Sequence, residues 1–235
     1  MNSQKIIREL KQKGSKKKAQ KSAYFFKTGK GEYGEGDRFW GVTVPEERII
    51  AKANRDLKFT EIEKLLKHPF HEARLTGLFI LVYKYEKTDD KPKKKIYNFY
   101  IRNLKAVNNW DLVDTTAPQI IGDYLERNKK EKKILYKLSE SKNLWERRIA
   151  IVSTWYFIRK NDFTDTLKIS EKLLKDKEDL IHKAVGWMLR EVGKRNEKTL
   201  LKFLDKHVKR MPRTALRYSL ERLSENKRKY YMSVK

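Results

Sequence analysis

Apolar residues recur three and four positions apart along most of this chain, the spacing of one helix face, and almost nowhere alternate as strand residues do. Residues 4–23 set Ile6, Ile7 and Leu10 among lysines, which predicts a basic N-terminal helix interrupted at Gly14-Ser15. Residues 28–44 form the single glycine-rich stretch and read as a loop. From there the pattern is helix after helix. Pro45 suits a helix start, with Glu46 and Glu47 in the first turn and Ile49, Ile50 and Ala53 behind them. Thr60 and Glu63 have the spacing of a capping box. Residues 70–87 carry Leu75, Leu78, Phe79, Val82 and Tyr83 on one face, and Pro92 can open the next helix, through Ile96, Phe99, Tyr100 and Leu104. Further helices are expected over 108–127, 130–140, 143–160, 164–175, 178–194, 197–208 and 212–224, with a loose charged tail beyond.

The helices also repeat. Arg74, Asp111, Arg148, Lys183 and Arg217 each stand ahead of a short run of apolar or small residues, 37, 37, 35 and 34 residues apart. A period of that length with two helices per unit predicts an all-α fold, an α-solenoid of HEAT-like helical repeats with a positively charged concave groove. The expected layout is a single domain over 1–235: an N-terminal basic helix and Gly-rich loop (1–44), helical repeats (45–224) and a basic tail (225–235).

Charge narrows the partner. Lys and Arg total 57 against 31 Asp and Glu, a formal net charge of +26, which points to a polyanion and best to nucleic acid. The aromatics are spread along the chain, unlike those of a membrane-surface helix. There is no cysteine, which removes disulfides, thiolate metal sites and cysteine nucleophiles. The longest apolar run, Leu78 to Tyr83, is too short to span a bilayer, and the N-terminus lacks the apolar core of a signal peptide. A cytoplasmic protein, nucleoid-associated through DNA binding, is expected. Gly29, Gly31 and Gly34 spell a dinucleotide fingerprint, but no strand precedes them and no helix follows. His68 and His71 lack further ligands at metal spacing, and His182 and His207 are isolated, so neither metal nor cofactor is expected.

One stretch stands apart, Asn108-Asn109-Trp110-Asp111-Leu112-Val113-Asp114. In a helix Trp110 and Asp114 share a face, which puts an indole over a carboxylate. Asn108 reads as the N-cap, with Asp111 in the first turn where the helix dipole favours a negative charge. Asp114 lies past that turn, and its plain alternative is a salt bridge, with Arg148 one repeat along as the candidate partner.

These residues carry a resemblance. The chain resembles the AlkD-type DNA alkylation-repair glycosylases over nearly its whole length. The resemblance rests on Gly31-Glu-Tyr-Gly-Glu-Gly-Asp-Arg-Phe39, Asn109-Trp-Asp-Leu-Val-Asp114, Leu144-Trp-Glu-Arg-Arg-Ile-Ala-Ile151 and Ile181-His-Lys-Ala-Val-Gly-Trp-Met-Leu-Arg-Glu191. It implies a HEAT-like fold and a monofunctional glycosylase that excises positively charged alkylated purines, N7-alkylguanine and N3-alkyladenine, from double-stranded DNA, without cofactor and as a monomer. Asp114 matches the catalytic aspartate, Trp110 and Trp187 the active-site tryptophans, and Arg148 the site arginine, with the adjacent Arg147 as alternative. Arg190 matches a basic residue near the DNA backbone, and one of Tyr24, Phe25, Phe26 and Tyr33 is open as a further aromatic.

The implied chemistry needs negative charge beside a sugar that becomes oxocarbenium-like as the cationic base leaves. Asp114 would supply it directly or by orienting water, between indole walls, while Arg148 and Arg190 hold phosphates. Lys183, Arg74, Arg147, Lys16 and Lys17 complete the expected DNA contacts, with salt-sensitive affinity. The alternative is a non-catalytic HEAT-repeat protein that binds damaged or branched DNA, or RNA. A protein-scaffold solenoid is a third reading, and the charge speaks against it.

Overall fold

A computed structural model describes residues 2–234. The fold is all-α, with no strand among the described residues beyond an isolated bridge between Arg38 and Phe70. No helix among them is long and apolar enough to cross a membrane. The chain divides into two compact units, Met1–Leu112 and Val113–Lys235.

In the first unit lie α1 (Ser3–Lys13), α2 (Lys16–Phe25), α3 (Val44–Ala53), α4 (Phe59–Leu66), α5 (His71–Glu86) and α6 (Asp90–Arg102). The break between α1 and α2 falls at Gly14-Ser15 as the sequence predicts. Asn2 caps α1 and Ser15 caps α2 through side-chain oxygens, while the Ser15 N–H turns outward to Trp40 O (2.8 Å). α5 is the central helix of this unit, buried on nearly every face, with α3, α4 and α6 packed on it. Ile6, Leu10, Ile50, Ile62, Leu65, Leu75, Leu78 and Phe79 form its core.

The glycine-rich segment is tied to α5 by a carboxylate. Buried Glu72 accepts the backbone N–H groups of Trp40 (3.1 Å), Gly41 (2.7 Å) and Val42 (3.3 Å). Gly41 has φ +80, and a Cβ there would stand 2.3 Å from Ser15 O and 2.4 Å from Ala19 N, so only glycine lets the segment pass the start of α2.

Several helix boundaries differ from the pattern-based expectation, and the helix expected over 143–160 is interrupted at Thr154. The capping box forms at Thr43–Glu46 and not at Thr60, because α4 starts at Phe59, whose ring packs on Phe99 (4.8 Å), leaving Thr60 inside the first turn. The helix expected over 108–127 is α7 (Trp110–Asp114), a π-turn (Pro118–Gly122) and α8 (Asp123–Arg127). Pro118 has no N–H to give the Asp114 carbonyl, so a helix beginning at Trp110 ends there. The 225–235 tail is helical over most of its length.

In the second unit α9 (Lys133–Ser139), α10 (Leu144–Ser153), α11 (Trp155–Arg159), α12 (Thr164–Leu173), α13 (Asp179–Arg195), α14 (Glu197–His207), α15 (Arg213–Leu220) and α16 (Glu225–Ser233) follow α8. α10, α13 and α15, which carry successive repeat positions, pack neighbour to neighbour, and α9 packs on α12 beside them. Burial of Ile149, Ile151, Phe157, Val185, Met188, Leu204 and Leu216 holds the rows together. Tyr231 anchors α16 by donating its hydroxyl to Asp205 Oδ1 (2.6 Å).

Candidate active site

α7 is only five residues long, and its start is fixed by Asn109, not Asn108. Asn109 is fully buried and its Oδ1 accepts the Trp110 N–H (2.8 Å), whereas Asn108 is exposed. Trp110 is half-buried, and its indole stacks on Phe26 at 5.2 Å and 18°. Phe26 in turn stacks on Phe39 at 5.1 Å and 17°, so three rings form one row. Phe25 meets the edge of Trp110 at 5.8 Å and is 62% exposed, and Tyr24 beside it is 88% exposed. The Tyr33 hydroxyl donates to Phe25 O (3.4 Å). Phe25 and Phe26, at the end of α2, thus both meet Trp110.

Asp111 does more than complement the helix dipole, the role its position in the first turn implied. Its Oδ2 meets His71 Nε2 at 2.8 Å, and His71 Nδ1 meets Asp37 Oδ2 at 2.8 Å. Arg74 donates to Asp37 Oδ1 (2.7 Å) and to His68 O (3.1 Å). The His71 and Asp37 side chains are each 3% exposed, too dry for an unbalanced charge. Burial pushes the His71 pKa down, but the Asp111 charge and hydrogen bonds to both carboxylates outweigh it and bring it up to about 9. Burial would raise Asp37, yet His71 and Arg74 hold it below the ordinary carboxylate value. Two carboxylates, one imidazolium and one guanidinium thus balance. Arg74 was expected to meet DNA; its guanidinium is instead buried in this network, which is why a repeat position that reads as basic offers no charge to a phosphate.

In the second unit Asp114 is held by Arg148. Arg148 Nε donates to Oδ1 (2.9 Å), one terminal nitrogen to Oδ2 (2.8 Å) and the other to Leu180 O (2.5 Å). The Arg148 and Asp114 side chains are 6% and 16% exposed. With its side chain 6% exposed and its charge paired to Asp114, Arg148 is placed to orient that carboxylate, in place of the phosphate contact expected of it. Arg147 points elsewhere, to Asp176 (2.6 and 3.2 Å) and to the carbonyls of Ser141 and Lys142, so the fork that faces Asp114 belongs to Arg148 alone of the two. Arg147 is likewise committed inside the protein, against its expected place among the DNA contacts.

Trp187 lies half-buried on α13, seven residues after Leu180 and so on the same side of the helix. Arg190 pairs with Glu191 (3.6 Å) and Glu221, and Lys183 with Asp179 (2.9 Å). Lys16 and Lys17 are exposed at the first turn of α2, the end of a helix dipole that disfavours cations. Phe26 was among the open aromatics and Asp37 and Phe39 lie in the glycine-rich segment that carries the resemblance, but nothing in the sequence singled out Asp37, His71 or Phe39 as partners of the Trp110 helix. The one signal for them is a histidine three residues ahead of a repeat-position arginine, and its partners lie 34 and 40 residues away.

An all-helical, strongly basic protein of this kind has the make-up of a nucleic-acid-binding protein. The chain matches the DNA alkylation repair enzyme family over residues 6–223 and belongs to it. A solved structure described as a predicted DNA alkylation repair enzyme from Enterococcus faecalis superimposes with a TM-score of 0.72 at 18% identity, covering 91% of this chain and 98% of that one. The smu.31 protein of Streptococcus mutans UA159 superimposes at 0.56 and 17% identity, covering 94% and 99%. These likenesses concern the fold. No curated protein matches the chain. The family supports a role in DNA repair.

Proposed function

We propose that this protein is a monofunctional DNA glycosylase that releases positively charged alkylated purines, N7-alkylguanine and N3-alkyladenine, from double-stranded DNA. The observation that carries the reading is the Asp114 carboxylate, which shares a five-residue helix with Trp110 and is fixed by the bidentate Arg148 of α10. Alkylation gives the base a positive charge, so the bond from C1′ to the purine nitrogen breaks with its electron pair moving to the base. Water then adds to C1′ and loses a proton, leaving an abasic site and a neutral purine. A carboxylate held by two hydrogen bonds needs no reorganisation as charge develops on the sugar. Paired to Arg148 it is part of a neutral couple, whose field is weaker than that of a lone anion. This favours the role of orienting the attacking water and accepting its proton. Trp110 and Trp187 offer π faces to the cationic nucleotide. Lys16 and Lys17, with Arg190 and Lys183 at the ends of exposed pairs, supply phosphate contacts.

The same bidentate bridge also suits a second reading, a DNA-binding solenoid without catalysis in which Asp114 is a strut. Incubating the protein with methylated duplex DNA and assaying free bases by chromatography separates the two. Free 7-methylguanine or 3-methyladenine, lost in Asp114→Asn with DNA affinity kept, supports the glycosylase. Salt-sensitive binding with no free base removes it. Sedimentation during the same preparation tests the monomer.

A further inference from the structure

A single buried ring ties three segments of the first unit together. His71 opens α5, meets Asp37 of the glycine-rich segment through Nδ1 and meets Asp111 of α7 through Nε2, each at 2.8 Å. An imidazole facing a carboxylate at both nitrogens donates from both, and therefore carries two protons. Two aromatic rings also lie against the imidazole. Phe39 stacks at 4.8 Å and 25°, and Phe26 lies at 5.0 Å and 36°. His71 thus grips both neighbours of Trp110: Asp111, next to it in the chain, and Phe26, stacked on its indole.

We infer that His71 is a positioning residue, whose second proton holds the glycine-rich segment to α7 and thereby sets the orientation of Trp110. Removing that proton turns one ring nitrogen into an acceptor opposite a carboxylate, and lone pair then faces lone pair. The other charged groups around the cluster have partners of their own, Arg48 of α3 lying over the Phe79 ring at 4.1 Å and donating to the Tyr83 hydroxyl (3.4 Å). Arg74 is already committed to Asp37, and Glu72 is occupied by the backbone of residues 40–42. Glu47, facing the cluster from α3, is buried, and burial first of all holds its carboxyl well above the ordinary carboxylate value. Loss of the proton removes a positive charge from between Asp37 and Asp111 and sets a ring lone pair against one of them, which drives that carboxylate away from the ring. The link to base release rests on the glycosylase reading; the clamp itself does not.

The test follows two resonances by NMR on the whole chain: the His71 ring nitrogens, and the Trp110 indole N–H assigned with Trp110→Phe. The expected result is a doubly protonated His71 at pH 7 that titrates near 9, with the Trp110 signal moving at the same midpoint. Asp111→Asn, which keeps the shape, should lower both midpoints together by about one unit or more, the scale at which a neighbouring carboxylate acts on a pKa. In His71→Gln the Trp110 signal should no longer depend on pH in that range; should that variant not fold, Asp111→Asn and Asp37→Asn carry the comparison. Where bases are released, the alkaline limb of kcat should shift down with the same variants. A neutral His71 at pH 7, or a Trp110 signal indifferent to its titration, overturns the inference. Absence of base release by the unmodified protein would instead strike the glycosylase reading and leave these midpoints intact.

Discussion

The Asp114–Arg148 pair can be dismantled from either side, and the order of damage separates catalysis from architecture. Arg148→Met leaves a carboxylate 16% exposed without this cation, and breaking such a pair from one side costs about 3–5 kcal/mol. Asp114→Asn keeps the shape, but its amide hydrogens confront one arm of the guanidinium, so one charged hydrogen bond of about 1.5–3 kcal/mol is lost. At roughly 2–4 °C per kcal/mol for a chain of this size, the two variants should melt about 6–20 °C and about 3–12 °C lower. Removing both partners together abolishes the stranded charge, so Asp114→Asn/Arg148→Met should recover much of the stability lost in Arg148→Met alone. Base release should behave otherwise. If the carboxylate orients water, the single and the double variant containing Asp114→Asn should both release base about 10²–10³ times more slowly, whatever their stability. The assay is release of methylated purines at a temperature where every variant is folded, alongside urea unfolding. Recovery of release in step with stability would refute the reasoning and make Asp114 a strut.

His71 gives a pH signature of its own. Its folded-state pKa is raised from 6.5 to about 9, so the stabilisation is complete below pH 6.5 and fades as pH rises through 9. At about 1.4 kcal/mol per unit this is on the order of 3 kcal/mol, to be read from urea midpoints at pH 6, 8 and 10 and to be absent in His71→Gln. Gly41→Ala forces a positive φ and a methyl group onto the α2 backbone; a loss of more than about 1 kcal/mol is expected, and an unchanged urea midpoint would contradict the placement of the segment. Replacing Lys16 and Lys17 by Gln should flatten the slope of log affinity for duplex DNA against log salt by about one unit for each phosphate no longer neutralised, while thermal melting stays the same. A slope identical to that of the unmodified protein would place DNA elsewhere.

Fold class was legible because it depends on spacing alone. Leu75, Leu78, Phe79 and Val82 mark a helix face without knowledge of what covers it, and the repeat of charged positions anticipated that α10, α13 and α15 would pack in sequence. Lost to the pattern were events decided by a neighbour. The helix expected from 108 ends at Asp114 because Pro118 follows, and the start of α4 moved with Phe59 onto Phe99. At the site, Trp110 and Asp114 stood out as an indole and an acid one turn apart, and the Arg148 bridge was a candidate because one repeat separates it from Asp114. Its consequence, an arginine buried between Asp114 and the Leu180 carbonyl, could not be read from letters. Arg74 and Arg147 misled for a related reason: a basic residue announces its charge and says nothing of the acid across from it. Asp37 and Asp111 looked ordinary because what makes them unusual is a shared imidazole.

The contact of Glu72 with three successive amides has an evolutionary corollary. The contour of residues 40–42 is written in a helix some thirty positions downstream, so swapping that stretch between relatives would transfer its letters without its shape unless the acid travelled too. Chimeras cut between residue 42 and Glu72 should therefore lose the turn, whereas those cut after Glu72 should inherit it whole.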